Sequence, residues 1–281
     1  MLWGRFASRA SEARYPQLWA GRVFGACPSV QGPAGLNLYD TTGRGRHATL
    51  SGMDAPTDWI RSTGQYALDM DGVNDQIVIP GPAGIPSTAM SFATWLRTTQ
   101  DSLFVLFSIS TPASAKWGTI WLGNGVTGQL SNEIVTVETS MSASTIRGYT
   151  NASRTFFDGS WRHVAVVFNG SGTVIYVDGI RRTTTVGSGQ TDNGRFWDTA
   201  VTATKCRIGS IDRGSGDSFF APMVWDDAAI WQRPLTDGEA RLLATRRGIA
   251  YEARRDMFGG SSGFQAYWAR RQNQIIGGGV R

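Results

Sequence analysis

The chain has 281 residues, 35 of them glycine, and carries a net charge of +5. It is long enough to bury a sizeable core without help from disulfides or metal. Its longest apolar run, around residues 103–107, is far too short to span a bilayer, so no membrane partner is expected.

Residues 1–22 read as an arm in which Trp3, Phe6, Tyr15 and Trp19 are spaced between Arg5, Arg9, Arg14 and Arg22. Aromatics in such numbers are seldom left in water, which predicts that the arm docks on something. The same stretch is broken by charge and has no apolar segment of the secretory kind. Residues 23–38 are rich in Gly and Pro, and residues 40–47 read as a turn-forming loop. Tyr66, Leu68 and Met70 alternate as a strand; Asp71-Gly-Val-Asn-Asp75 interrupts it, and Ile77-Val-Ile79 is expected to resume it. Further strands are expected over 91–97, 103–109, 119–122, 133–138 and 145–149.

The organising stretch is 161–179. Val164-Ala-Val-Val-Phe168 and Thr173-Val-Ile-Tyr-Val177 are separated by Asn169-Gly-Ser-Gly172, and Asp178-Gly179 turns the chain again before 181–186. That pattern predicts two consecutive hairpins, a three-stranded meander. Its near-continuous apolar runs predict strands packed on both faces, in the middle of a sandwich rather than at its edge. One helix is well signalled: Thr236-Asp-Gly-Glu239 is a capping box, an apolar face follows, and Gly248 after Arg246 and Arg247 marks a stop. Residues 251–281 read as a second arm, with a short helix expected around 265–273. Many short strands between Gly, Asn and Ser turns make the chain all-β, a two-sheet antiparallel sandwich or jelly roll over 23–250.

Charge is uneven. Residues 1–22 carry four Arg against Glu12, net +3; residues 241–281 carry eight Arg against Glu252 and Asp256, net +6; the body between is left at −4. Basic ends on an acidic body suggest arms that lie on an acidic partner or a neighbouring subunit, or that fold back on their own core. The residues for such docking are Trp3, Arg5, Arg9, Arg14 and Trp19 at one end and Arg254, Arg255, Trp268, Arg270 and Arg271 at the other. Nucleic acid is not expected as the partner: no zinc spacing, RNP-like signature or dense basic run is present. Of 27 basic residues only Lys116 and Lys205 are lysines, which fits a compositional bias toward arginine. Cys27 and Cys206 form no CxxC pair and are either two buried thiols or one long-range bridge.

At this point the chain resembles a family. Asp69-Met-Asp71-Gly-Val-Asn-Asp75, Ser91-Phe-Ala-Thr-Trp95, Trp161-Arg-His-Val-Ala-Val-Val, Tyr176-Val-Asp-Gly and Ala229-Ile-Trp-Gln-Arg-Pro-Leu-Thr-Asp-Gly-Glu239 are similar, in order, to the signature blocks of LamG/pentraxin-like domains. The resemblance implies the concanavalin A-like lectin and glucanase fold. The end motifs Tyr15-Pro-Gln-Leu-Trp19, Asp54-Ala-Pro-Thr-Asp-Trp59, Arg246-Arg-Gly-Ile-Ala-Tyr251 and Ile275-Ile-Gly-Gly-Gly279 resemble LamG-like proteins of tailed-phage structural regions. That implies a non-enzymatic virion protein, a capsid decoration protein on the particle surface. Its partners would be the major capsid protein or other virion proteins, and it would be present in many copies or as a homo-oligomer. The alternative is a carbohydrate-binding, calcium-dependent adhesion module or a tail-associated receptor-binding protein.

Catalysis is not expected. Retaining glycosidases need two carboxylates about 5 Å apart, and the glucanase relatives carry Glu-x-Asp-x-Glu on one strand; Glu12, Glu133, Glu138, Glu239 and Glu252 are the only glutamates here and none sits in that pattern. His47 lacks a nucleophile elbow, and His163, at a strand start, reads as a packed, hydrogen-bonded structural residue. No cofactor is required by this reading. Calcium is the one cation the resemblance implies, with Asn74 and Asp75 in the first ligand loop and Asp212 near the second; the other reading gives Asp71, Asn74 and Asp75 to Asx turns. Trp59, Trp117, Trp121 and Trp197 are the aromatics a sugar would use, or core residues.

Overall fold

A computed structural model describes residues 7, 10–81, 85–114, 116–124, 130, 132–139, 145–151, 153, 155–197 and 203–253. They form a sandwich of two antiparallel sheets, as expected, with one short helix late in the chain. The first sheet runs, in order, Ile180–Arg181, Thr173–Val177, Arg162–Phe168, Met90–Arg97, Pro222–Trp231, Gln65–Asp71 and Trp59–Ser62, and Arg22–Ala26 pairs with the far half of Pro222–Trp231. The second runs Thr185–Val186, Thr145–Thr150, Glu133–Thr139, Lys116–Leu122, Phe104–Thr111, Lys205–Ile208, Gln76–Ile79, Ala48–Ser51 and Asn37–Leu38.

The core lies between the sheets. Phe92 of the first stacks on Phe107 of the second at 4.5 Å, and Phe168 and Phe196 close the layer. The first sheet is also covered outside. Ala93, Ala165, Val167, Tyr176 and Trp231 pack under Leu18, Leu235, Leu243, Ile249 and Tyr251. Burial on both faces is why these strands read as unbroken apolar runs.

The meander is present but sits toward one flank, because Met90–Arg97 and Pro222–Trp231 hold the middle. Its third strand is split: Ile180–Arg181 stays in the first sheet, whereas Thr185–Val186 crosses to pair with Thr145–Thr150 in the second. The turn at 71–75 crosses too. The strand after it, Gln76–Ile79, lies in the second sheet instead of resuming the first. Close packing fixes that crossing: a Cβ on Gly52 would lie 2.2 Å from the Asn74 carbonyl oxygen.

The capping box is made in both directions, Glu239 N–H to Thr236 Oγ1 and Thr236 N–H to the Glu239 carboxylate, but the helix spans only Asp237–Leu243. Arg247 turns inward instead of prolonging it. Its guanidinium donates to Asp226 Oδ2 at 3.1 Å and to Ser62 O and Thr63 Oγ1. Cys27 and Cys206 are both buried and unpaired. Among the described residues no helix is long and apolar enough to cross a membrane.

Candidate functional site

The second sheet offers an outer face with polar and aromatic side chains. In Lys116–Leu122, Ile120 and Leu122 enter the core, so Trp117, Thr119 and Trp121 point the other way. Cross-strand register extends this face: Arg207, Ser108, Thr119 and Glu138 form one row, and Trp121 stands opposite Thr136.

Over this row folds a ribbon in which Ile211–Asp212 pairs with Asp217–Ser218. The ribbon places Arg213 above the sheet, its guanidinium carbon 4.6 Å from the Trp117 ring, 4.9 Å from Trp121 and 5.1 Å from Phe219. Contacts of this kind favour a cation by electrostatic attraction to the ring faces. Trp121 is fully buried beneath, edge-on to Phe219 and packed on Val105 and Ile211. Its indole N–H donates to Glu138 Oε2 at 2.9 Å, and Arg213 lies 3.6 Å from the same oxygen.

Burial pushes the Glu138 carboxyl up and the Arg213 guanidinium down, outweighing in each case the attraction between them. Phe219 is 40% exposed and holds a left-handed φ of 55°, a conformation that costs energy in a non-glycine residue and collects at functional sites. The hydroxyls of Thr119 and Thr136 and the Trp117 indole N–H are buried without hydrogen-bond partners. The arrangement is thus an aromatic floor with a cation, a carboxylate and unused donors around it. It suits a ligand with apolar C–H faces and many hydroxyls.

Of the residues named for calcium, Asn74 and Asp75 adjoin at the end of the 71–75 turn, Asp212 lies on the ribbon, and both aspartates serve internal partners. Asp71 Oδ1 accepts from the Val73 and Asn74 amides, an Asx-type turn, and Asp75 Oδ2 reaches back to accept from the Asp71 amide. Asp212 pairs with Lys205 and lies 3.9 Å from Arg207, and it accepts from Gly214 N–H. Calcium would have to displace two cations there, so this donor set does not fit it. Among the described residues no group of three or more His, Cys, Asp or Glu is placed to hold a metal.

Of the docking residues, Trp3, Arg5, Arg9, Arg254, Arg255, Trp268, Arg270 and Arg271 lie outside the described residues, as does the helix expected around 265–273. Arg14 and Trp19 fold back on the domain. Arg14 pairs with Glu252 at 2.9 Å, and the Trp19 indole donates to Ala250 O while its ring meets Tyr251 edge-on.

His163 is buried against Trp95, and its Nδ1 is buried without a hydrogen-bond partner. Trp59 is core; Trp117 and Trp197 are both half-buried, Trp197 against the core between the sheets and Trp117 against Trp121 on the outer face. From the sequence Glu138, Trp117 and Trp121 stand as separate candidates, and neither Arg213 nor Phe219 is assigned to a site. The alternation of residues 117–121 carries part of the signal; the fold-back of the ribbon leaves none.

The family model described as the concanavalin A-like lectin/glucanases superfamily (Laminin_G_3) matches residues 71–241. No curated protein matches the chain in sequence. Domain 4 of AbnA, a GH43 extracellular arabinanase from Geobacillus stearothermophilus, solved in complex with arabinotriose, superposes with a TM-score of 0.54 at 17% identity, covering 79% of this chain and 98% of that one. The binding domain of Paraclostridial Mosquitocidal Protein 1 gives 0.58 at 13% identity over 81% of this chain, and Trypanosoma rangeli sialidase in complex with sialic acid gives 0.51 at 13% over 80%. The chain spans 52% of the toxin domain and 33% of the sialidase. At these identities the likeness is one of fold.

Proposed function

This chain belongs to the concanavalin A-like lectin/glucanases superfamily, and from that premise we propose that it is a non-catalytic carbohydrate-recognition domain whose sugar lies on the outer face of the nine-stranded sheet. The observation that carries the reading is the Trp117, Arg213 and Phe219 platform over Glu138, with donors left unused around it. Aromatic faces are electron-rich and meet the C–H edges of a pyranose, while Arg213 and Glu138 supply charge-assisted hydrogen bonds to hydroxyls. A ligand hydroxyl reaching the Trp117 N–H would offset its desolvation.

The non-catalytic part rests on the carboxylates. Glu138 is 3.6 Å from Arg213, Asp212 and Asp217 pair with Lys205 and Arg207, and among the described residues none of them is set against a second, unpaired carboxylate. Glycan-array binding tests the reading. The wild type should bind a defined set of glycans, and Trp117→Ala with Phe219→Ala should lose it at least tenfold with the fold intact. Equal binding by the double variant would sink the site.

The finer proposal is a setting: a capsid decoration protein of a tailed phage, with this face turned outward. Its support is where the first and last described residues lie. The motif around Tyr15 and Trp19 packs directly on the motif around Tyr251, Ala13 bridges Ala253, and Ala7 N–H donates to Tyr251 O. The basic segments before and after therefore depart from one place, which suits a single anchoring face. Mass spectrometry of purified particles decides it: hundreds of copies support decoration, a handful point to the tail, and absence removes the virion setting while leaving the sugar site standing.

A further inference from the structure

The chain crosses from one sheet to the other at 182–184, and the crossing leaves an open pocket of about 330 Å³ at the sandwich edge, lined by Arg147, Thr173, Arg181, Arg182, Thr183 and Thr184 together with Val174. We propose that this pocket is a second binding site, separate from the aromatic platform, that takes the oxyanion of an acidic sugar, a carboxylate or a sulfate.

Three arginines line the pocket, and one of them, Arg147, is answered by a carboxylate. Arg147 Nε lies 2.6 Å from Asp192 Oδ2, and its Nη1 donates to Thr184 Oγ1 at 2.6 Å, so Arg147 is fixed in place. Asp192 is held in turn by the Thr173 amide at 2.7 Å, the Thr173 hydroxyl at 2.9 Å and the Gly194 amide at 2.9 Å, and its side chain is 3% exposed. That carboxylate answers Arg147. Among the described residues neither Arg181 nor Arg182 makes an ion pair. Arg182 lies over the Tyr149 ring at 5.3 Å and donates through Nη2 to Val177 O, while its Nε is buried without a hydrogen-bond partner.

The pocket therefore holds two uncompensated positive charges and one buried donor with nothing to meet. Guanidinium forks match planar carboxylates and sulfate oxygens, and such bonds are the strong class. The remaining wall is hydroxyl. Thr184 accepts from Arg147 and keeps its own hydrogen to donate, and Thr183 is exposed. With Val174 the one apolar lining residue, this wall suits sugar hydroxyls better than an apolar ligand. A volume of this size lies at the small end of small-molecule sites.

The test is calorimetric titration of the full chain with 3′-sialyllactose, a sulfated heparin disaccharide and lactose. One or both acidic probes should bind and lactose should not bind at this pocket; which acidic probe wins identifies carboxylate or sulfate as the group held. Arg181→Gln with Arg182→Gln should weaken the acidic probe about tenfold or more. Raising salt from 50 to 500 mM should weaken the wild type as well, a readout that does not depend on the variant folding. Trp117→Ala, which removes the platform, should leave acidic-probe binding unchanged, so failure of one site is distinguishable from failure of the other. Salt-independent binding, equal affinity for lactose in the Trp117→Ala chain, or full affinity in the double arginine variant would overturn the proposal.

Discussion

His163 shows how one side chain sets a pH dependence. It is 1% exposed, and burial holds its pKa down at about 3 from an ordinary 6.5. The unfolded chain therefore takes up a proton below about pH 6.5 while the native state does not, so this stability is whole above 6.5 and is lost as pH falls toward 3. The slope is about 1.4 kcal/mol per pH unit for one such group. Replacing His163→Gln should remove it. Urea midpoints at pH 7.5 and 5.0 should drop more in the wild type than in the variant, by about 2 kcal/mol; parallel losses would mean that the ring is protonated in place. At this scale the sequence was partly legible. Its position at a strand start identified a packed histidine, but the absent Nδ1 partner depends on neighbours brought from Met90–Arg97. Arg213 was harder still: beside Asp212 it reads as a charge that repels a cation, and only the folded ribbon turns it into the lid of an aromatic platform.

Strands were legible where alternation or apolar runs decide, and less so where the chain chooses a sheet. Residues on both sides of the 71–75 turn carry the same period, so the pattern does not tell a resumed strand from a crossing. The choice is made by close contacts, and Gly118 is another of them. It sits between Trp117 and Thr119 on the strand that bears the platform, and a Cβ there would lie 1.9 Å from the Phe196 carbonyl oxygen. Phe196 is fully buried, and its amide is held by Ser87 O at 2.9 Å, so its backbone has no room to retreat. Gly118→Ala should cost about 1–3 kcal/mol as overpacking and weaken glycan binding by moving Trp117. A thermal midpoint equal to the wild type would mean that the 195–197 segment yields. The helix offers a milder case: Thr236→Ala removes the reciprocal cap and should cost about 1 kcal/mol in a denaturant titration, because Arg233 still holds Glu239 at 2.6 Å.

For the whole molecule, the pattern leaves open where residues 10–22 dock. Arginines spaced among aromatics look the same whether they dock outward or inward, and the partners that decide are far away in sequence, as with Trp19 and Ala250, 231 positions apart. The structure draws the described part inward. Leu18 is fully buried and its carbonyl accepts from the Trp231 indole at 2.9 Å; Arg233 donates to Gln17 O and Ala20 O; and buried Arg22 lies 4.9 Å from the Trp19 ring, 5.5 Å from Trp231 and 5.0 Å from Tyr251. Removing Leu18 alone as a buried side chain costs about 2–5 kcal/mol, against a total stability of about 5–15 kcal/mol for a typical domain. A chain beginning at Val23 should therefore unfold at a markedly lower temperature and bind a hydrophobic dye, whereas a chain beginning at Ala7 should melt like the full one. Particle binding then separates the roles. If the chain from Ala7 keeps its fold and loses the particle, residues 1–6 carry anchoring; if it keeps both, anchoring belongs to 254–281 or to the body. Identical melting of the chain from Val23 would show that residues 7–22 are an arm after all, and that the aromatic cage around Arg22 contributes nothing the sandwich needs.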